Sequence, residues 1–269
     1  MNRQPLLTLT LIGLLAHGCL SYCLSGAQAQ SQNLRAATSS SYIERGNKWY
    51  AKGEYVRAEA DFTLAIATDP SQANAYYNRA VTRYHLGKLN EALADFDRAL
   101  KLAPRMVEAY VDRGGVRHLL GDLDGALSDC NKAIELNPKQ AAAWGNRGLA
   151  RRDKGDLEGA LADFNRSLKL DPGLAKIWGS RGAVRLLKRD LAGAISDYTH
   201  EIKLDPGSAV AWSDRGAALR LKGDLEGALA DYDKSIKINP RLSSSWFNRA
   251  LLWKTKGAWA RAEADFTQA

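Results

Sequence analysis

The chain has 269 residues, a formal net charge of +8 and three cysteines, two of which, Cys19 and Cys23, lie among the first 29 residues. Cys130 is alone beyond them, which excludes an intramolecular disulfide framework and makes it a small buried hydrophobe rather than a reactive thiol. No phosphate loop, nucleophile elbow or zinc-ligand motif occurs, so no catalytic residue, metal or other cofactor is expected and the protein reads as non-enzymatic.

The chain opens with a basic start, an apolar run from Leu6 to Leu20 and the small-residue step Ala27-Gln28-Ala29. That order is the pattern of a secretory signal peptide over residues 1–29, cut before Gln30. The run falls short of the roughly 20 apolar residues of a membrane span, so no stable membrane insertion is expected after cleavage; an uncleaved anchor is the alternative. His17 before Cys19 and Tyr22 before Cys23 are poor matches to the small residues that precede a lipid-modified cysteine. An exported protein, periplasmic or extracellular, is the expected product. Loss of the leader removes Arg3 and no acid, lowering +8 by one to +7. Such a basic scaffold suits anionic envelope surfaces or acidic proteins. Nucleic acid is not expected as a partner, because the chain is read as exported and no aromatic ladder alternates with its arginines. Residues 30–38 are mostly polar and aperiodic and read as a flexible lead-in.

From Ser39 onward the chain repeats every 34 residues: Pro70, Pro104, Pro138, Pro172, Pro206 and Pro240 mark the period. The units are 39–72, 73–106, 107–140, 141–174, 175–208, 209–242 and the incomplete 243–269, and together they predict one elongated domain. Position 4 of the unit is always aromatic, from Tyr42 to Trp246; position 8 is always Gly or Ala; position 20 is Ala from Ala58 to Ala262. With the mostly apolar positions 17, 21, 24 and 28, these steps of three and four predict two amphipathic helices per unit. Gly53, Gly87, Gly121, Gly155, Gly223 and Gly257 stand where the first helix needs a left-handed terminal residue, with Arg189 the exception in the fifth unit. Asp122, Asp156 and Asp224 follow as candidate N-caps.

This pattern resembles the tetratricopeptide repeat over residues 39–269. The resemblance implies an all-α fold, a right-handed solenoid of stacked helix-turn-helix hairpins whose first helices line a concave groove. It also implies a protein-interaction scaffold that takes a peptide or protein segment in that groove. By the same resemblance, the groove positions of units 1 to 3 hold Asn47, Tyr50, Tyr77, Asn78, Tyr84, His85, Asp112 and His118 as candidate peptide-binding residues. Gly145, Gly179, Ser213, Ala183 and Ala217 leave the stretch over units 4 to 6 open. Asn47 and Asn78 match the amide positions of the clamp by which some members hold a terminal carboxylate. Ile43, Glu108 and Asp112 stand where its basic residues belong, so carboxylate capture is not expected.

Every unit also carries arginine at position 7 and aspartate at position 23: Arg45 with Asp61, Arg79 with Asp95, Arg113 with Asp129, Arg147 with Asp163, Arg181 with Asp197, Arg215 with Asp231, and Arg249 with Asp265. Sevenfold repetition suits structural ion pairs inside each hairpin better than one active centre. A second ladder, Arg83, Arg117, Arg151 and Arg185 at position 11, either joins that network, reaches solvent or binds anions. The partner's identity is not encoded. Two further functions are consistent with the chain: a structural module that self-associates through its uncapped last unit, and a helper domain of an envelope enzyme.

Overall fold

The structure, a computed structural model, describes residues 30–31 and 33–269. The leader read over residues 1–29 lies outside them. Fourteen helices and no strand occur among the described residues. They are α1 (residues 33–51), α2 (Tyr55–Thr68), α3 (Ala73–His85), α4 (Leu89–Leu102), α5 (Val107–Leu119), α6 (Leu123–Leu136) and α7 (Ala141–Asp153), followed by α8 (Leu157–Leu170), α9 (Ala175–Leu187), α10 (Leu191–Leu204), α11 (Ala209–Lys222), α12 (Leu225–Ile238), α13 (Ser243–Thr255) and α14 (Trp259–Gln268). Odd-numbered helices are the first, and even-numbered the second, of each hairpin. Of residues 30–38, expected as a flexible lead-in, 30–31 and 33–38 are helical, the latter forming the first turns of α1. Leu34, Arg35, Ala36 and Ala37 are good helix formers with no Gly or Pro among them, and propensity outweighs the missing apolar period.

Two compact units result, the described residues up to Ala109 and Tyr110–Ala269. In the first, α2 packs on α3 and α3 on α4 over Ala58, Phe62, Ala75, Ala80, Ala92 and Phe96, all buried. In the second, successive helices from α6 to α14 pack in order, and α7 meets α9, α9 meets α11, and α11 meets α13. The small position 8 and large position 24 face each other: a methyl group on Gly148 would lie 2.6 Å from Phe164 Cε1. Cys130 occupies the same place as that ring, fully buried, and burial pushes its thiol up to about 12.

The hairpin turns follow from local chemistry. Gly155 takes φ 86°, Gly155 N–H donates to Arg152 O and Asp156 N–H to Arg151 O, closing α7. Asp156 then accepts from Gly159 N–H at 2.9 Å and opens α8. Asp122, Asp190 and Asp224 cap α6, α10 and α12 in the same way. In the fifth hairpin Arg189 itself adopts the left-handed turn, at φ 64°.

Candidate functional site

The seven arginine–aspartate pairs all meet. Each arginine presents Nε to one carboxylate oxygen and Nη2 to the other, at 2.5 to 2.9 Å; Arg147 sits 2.8 and 2.7 Å from Asp163. The same guanidinium lies over the position-4 ring, from 4.6 Å for Arg147 on Trp144 to 5.8 Å for Arg79 on Tyr76. Its third nitrogen crosses to the preceding hairpin: Arg147 reaches Asn131, Arg181 reaches Asn165 and Arg249 reaches Asp233. Trp144, Trp178, Trp212 and Trp246 donate their indole N–H to the carbonyls of Pro138, Pro172, Pro206 and Pro240. Arg83, Arg117, Arg151 and Arg185 join the network through Asp95, Asp129, Asp163 and Asp197. Arg83 also binds Glu59, where burial works against ionisation but the bonds from Lys88 and Arg83 hold the carboxyl below its usual range. These bonds tie the two helices of each hairpin together and, through Arg147, Arg181 and Arg249, tie neighbouring hairpins; Arg113, Arg117 and Asp129 also line an open cavity of about 440 Å³.

The first unit holds an open cavity of about 330 Å³ lined by Asn47, Tyr50, Phe62, Tyr77, Asn78 and Val81. A neighbouring one of about 290 Å³ shares Asn47, Tyr77 and Asn78 and adds Ile43, Asn74, Met106 and Glu108. Asn78 Nδ2 donates to Asn47 Oδ1 at 2.9 Å, across α3 and α1. That bond leaves Asn47 Nδ2 and Asn78 Oδ1 as one donor and one acceptor on the cavity wall. They complement the C=O and N–H of a peptide group. Glu108 on the same wall sets a negative charge where a carboxylate clamp needs a positive one.

Tyr50 and His85 belong to an aromatic cluster. Tyr50 Oη lies 2.8 Å from His85 Nε2, the imidazole stacks on Tyr55 at 4.9 Å, and Tyr84 meets it edge-on at 5.3 Å. Tyr84 is exposed, and Tyr55, which the sequence reading passed over, is the plane on which His85 is held. The remaining two candidates fall in the second unit. His118 Nε2 sits 2.7 Å from Asp153, whose carboxyl the bond from Arg152 holds below its usual value; Asp112 is half-buried on α5. No group of three or more His, Cys, Asp or Glu able to hold a metal occurs among the described residues.

The stretch expected to be open over units 4 to 6 is filled at two of its glycines. A side chain on Gly145 would strike Ile177, and one on Gly179 would collide with the Glu201 carboxylate. Glu201 is the residue that sequence reasoning missed, and a signal was there. Position 27 is Ala65, Ala99, Ala133, Ser167 and Ser235 in the other complete units, and only the fifth puts an acid in that small-residue slot.

Four segments, residues 73–106, 107–140, 141–174 and 209–242, match family models described as tetratricopeptide repeat, together half of the chain. The chain belongs to the tetratricopeptide repeat family. No curated protein sequence matches this tetratricopeptide repeat protein. Among solved structures it is similar to a tetratricopeptide repeat protein from Parabacteroides merdae, at a TM-score of 0.67 and 20% identity over 86% of this chain and 92% of that one. PilF of Pseudomonas aeruginosa gives 0.69 and 18%, covering 78% and 96%. YrrB, described as having an unusual peptide-binding site, gives 0.53 and 26%, covering 68% and 95%. Tetratricopeptide repeat proteins are generally non-enzymatic scaffolds that bind protein or peptide partners, and membership of the family makes this chain a protein-interaction scaffold. No helix among the described residues is long and apolar enough to cross a membrane.

Proposed function

We propose that the first unit binds an extended peptide segment of a partner protein. The observation that carries this is the Asn47–Asn78 bond, which leaves one amide donor and one acceptor beside Tyr50 and Tyr77 on an open cavity. The two asparagines hold one backbone peptide group, and the tyrosines cover the side chains flanking it. YrrB, in its own case a peptide binder, supports the reading by likeness. The leader pattern of residues 1–29 supports export, which places the partner in the cell envelope or outside the cell; N-terminal sequencing of the protein recovered from its native host checks this.

The test is selection from a displayed random-peptide library on the full chain, repeated with Asn47→Ala/Asn78→Ala. Peptides that bind the parent and lose tenfold or more in affinity on the variant, with its helicity unchanged, are expected. Peptides held equally by both place the site elsewhere and overturn the assignment. A second reading, self-association through the last unit, is supported by Trp259, 63% exposed, and by the exposed pair Phe247 and Phe266, whose rings meet at 5.7 Å. Mass that rises with protein concentration, and stays constant in Trp259→Ser, would favour it.

A further inference from the structure

We infer that Glu108 makes the peptide site selective for a basic residue: the segment bound there carries a lysine or arginine two positions from an apolar side chain. This rests on the peptide-binding reading above and names the ligand class of the same site.

The two cavities of the first unit adjoin, since Asn47, Tyr77 and Asn78 wall both. The bonded amides Asn47 and Asn78 therefore belong to each of them. An extended chain places alternate side chains on one face, about 7 Å apart. A segment held at the amides thus sends the side chains of residues i and i+2 into the cavities, one each.

The cavities differ in chemistry. One adds Tyr50, Phe62 and Val81 to the shared wall and suits an apolar side chain. The other adds Ile43, Asn74, Met106 and Glu108. Of the described residues on either wall, Glu108 alone is charged. It is exposed, and its carboxylate makes no hydrogen bond or ion pair with the described residues. By contrast, Asp124, Glu158 and Glu226 each hold a lysine of the next hairpin, Lys154, Lys188 and Lys256. Half-buried Ile43 and Met106 give the methylene stem of a long cationic side chain an apolar path, and Asn74 and Glu108 offer acceptor oxygens on the same wall for its N–H groups.

An aspartate, a glutamate or a terminal carboxylate in that cavity would meet an uncompensated negative charge instead. The preference is local and opposes the field of the whole molecule, whose net charge of +8 draws acidic peptides to its surface. Enrichment of basic peptides therefore cannot come from the net charge. Glu108 also stands in the first turn of α5, where a carboxylate suits the helix dipole. A purely structural role of that kind would change stability in Glu108→Gln or Glu108→Lys and leave the sequence preference of bound peptides as it was.

The experiment selects displayed random peptides on the full chain, on Glu108→Gln and on Glu108→Lys, with helicity matched by circular dichroism, at about 0.15 M salt, where fields beyond about 8 Å are screened. On the parent, lysine or arginine two positions from an aliphatic or aromatic residue is expected to be enriched. The enrichment is lost on Glu108→Gln and turns to aspartate and glutamate on Glu108→Lys. Norleucine in place of the basic residue of a selected peptide weakens binding to the parent about two- to fivefold, the size of an exposed charge pair, and leaves binding to Glu108→Gln unchanged. A parent pool without basic preference, or a basic preference that persists on Glu108→Lys, overturns the selectivity. If the selected peptides still fail on Asn47→Ala/Asn78→Ala, the peptide reading survives that result; a library that yields no binder overturns both.

Discussion

Replacing Arg147 with leucine tests whether the repeated ion pair is architecture. In isolation, a buried carboxylate stripped of its partner costs about 3–5 kcal/mol. Asp163 is not stripped in this variant, because Arg151 Nη1 still holds Oδ2 at 2.8 Å. What is lost is two charge-assisted bonds, the 2.7 Å bond to Asn131 and the stacking on Trp144. The expected cost is therefore nearer about 2–3 kcal/mol. Asp163→Leu takes the shared acceptor from Arg147 and Arg151 together, and the Arg147 side chain is only 13% exposed, so about 3–5 kcal/mol is expected there. In Arg147→Leu/Asp163→Leu only Arg151 is left over. It is 30% exposed and has Asp156 at 3.6 Å, so the double variant should lose about 1–2 kcal/mol, less than either single change. Urea melts followed by circular dichroism at 222 nm give the three values, compared at equal m. A double variant as unstable as Asp163→Leu would refute the reasoning, because the loss would then come from packing rather than from an unpaired charge.

Two further outcomes follow from the second unit. Because Glu201 and Asp214 hold protons in the folded protein that their unfolded forms release, the folded state binds more protons between about pH 4 and 7, and stability falls as pH rises through that window. Asp214→Asn should then raise stability by about 1–2 kcal/mol at pH 8, allowing for partial exposure, and leave it unchanged at pH 4; urea midpoints at the two pH values check this, and an equal effect at both would refute it. Arg189→Gly should stabilise by about 0.5–1 kcal/mol, since a side chain at φ 64° carries a steric cost that glycine lacks; a thermal midpoint below the parent's would refute it.

The 34-residue period, the helix pairs and the glycine turns were legible because each repeats at a fixed offset, and sevenfold repetition separates signal from accident. The position-7 and position-23 pairs were legible for the same reason. The network around them was not: the third nitrogen of Arg147 finds Asn131 in the preceding hairpin, and the indole N–H of Trp144 finds Pro138 O, contacts that depend on how hairpins stack rather than on any one of them. The candidate site was half legible. Asn47, Tyr50, Tyr77 and Asn78 share a wall because corresponding helices align, whereas the open strip expected at Gly145 and Gly179 holds Ile177 and Glu201, each arriving from another helix. Glu201 was visible only as an exception to its own column.

The crossing arginines set the grain size of unfolding. Within the second unit, Arg147, Arg181, Arg215 and Arg249 each hold an aspartate of their own hairpin and a side chain of the one before. Opening one hairpin there orphans a buried carboxylate inside it and a bonding partner on its neighbour. Nearest-neighbour coupling of this kind lengthens the stretch that melts as one, so amide exchange in α8 to α12 should report openings that span several hairpins. The repeat that the eye counts in the sequence is smaller than the piece that the molecule can release.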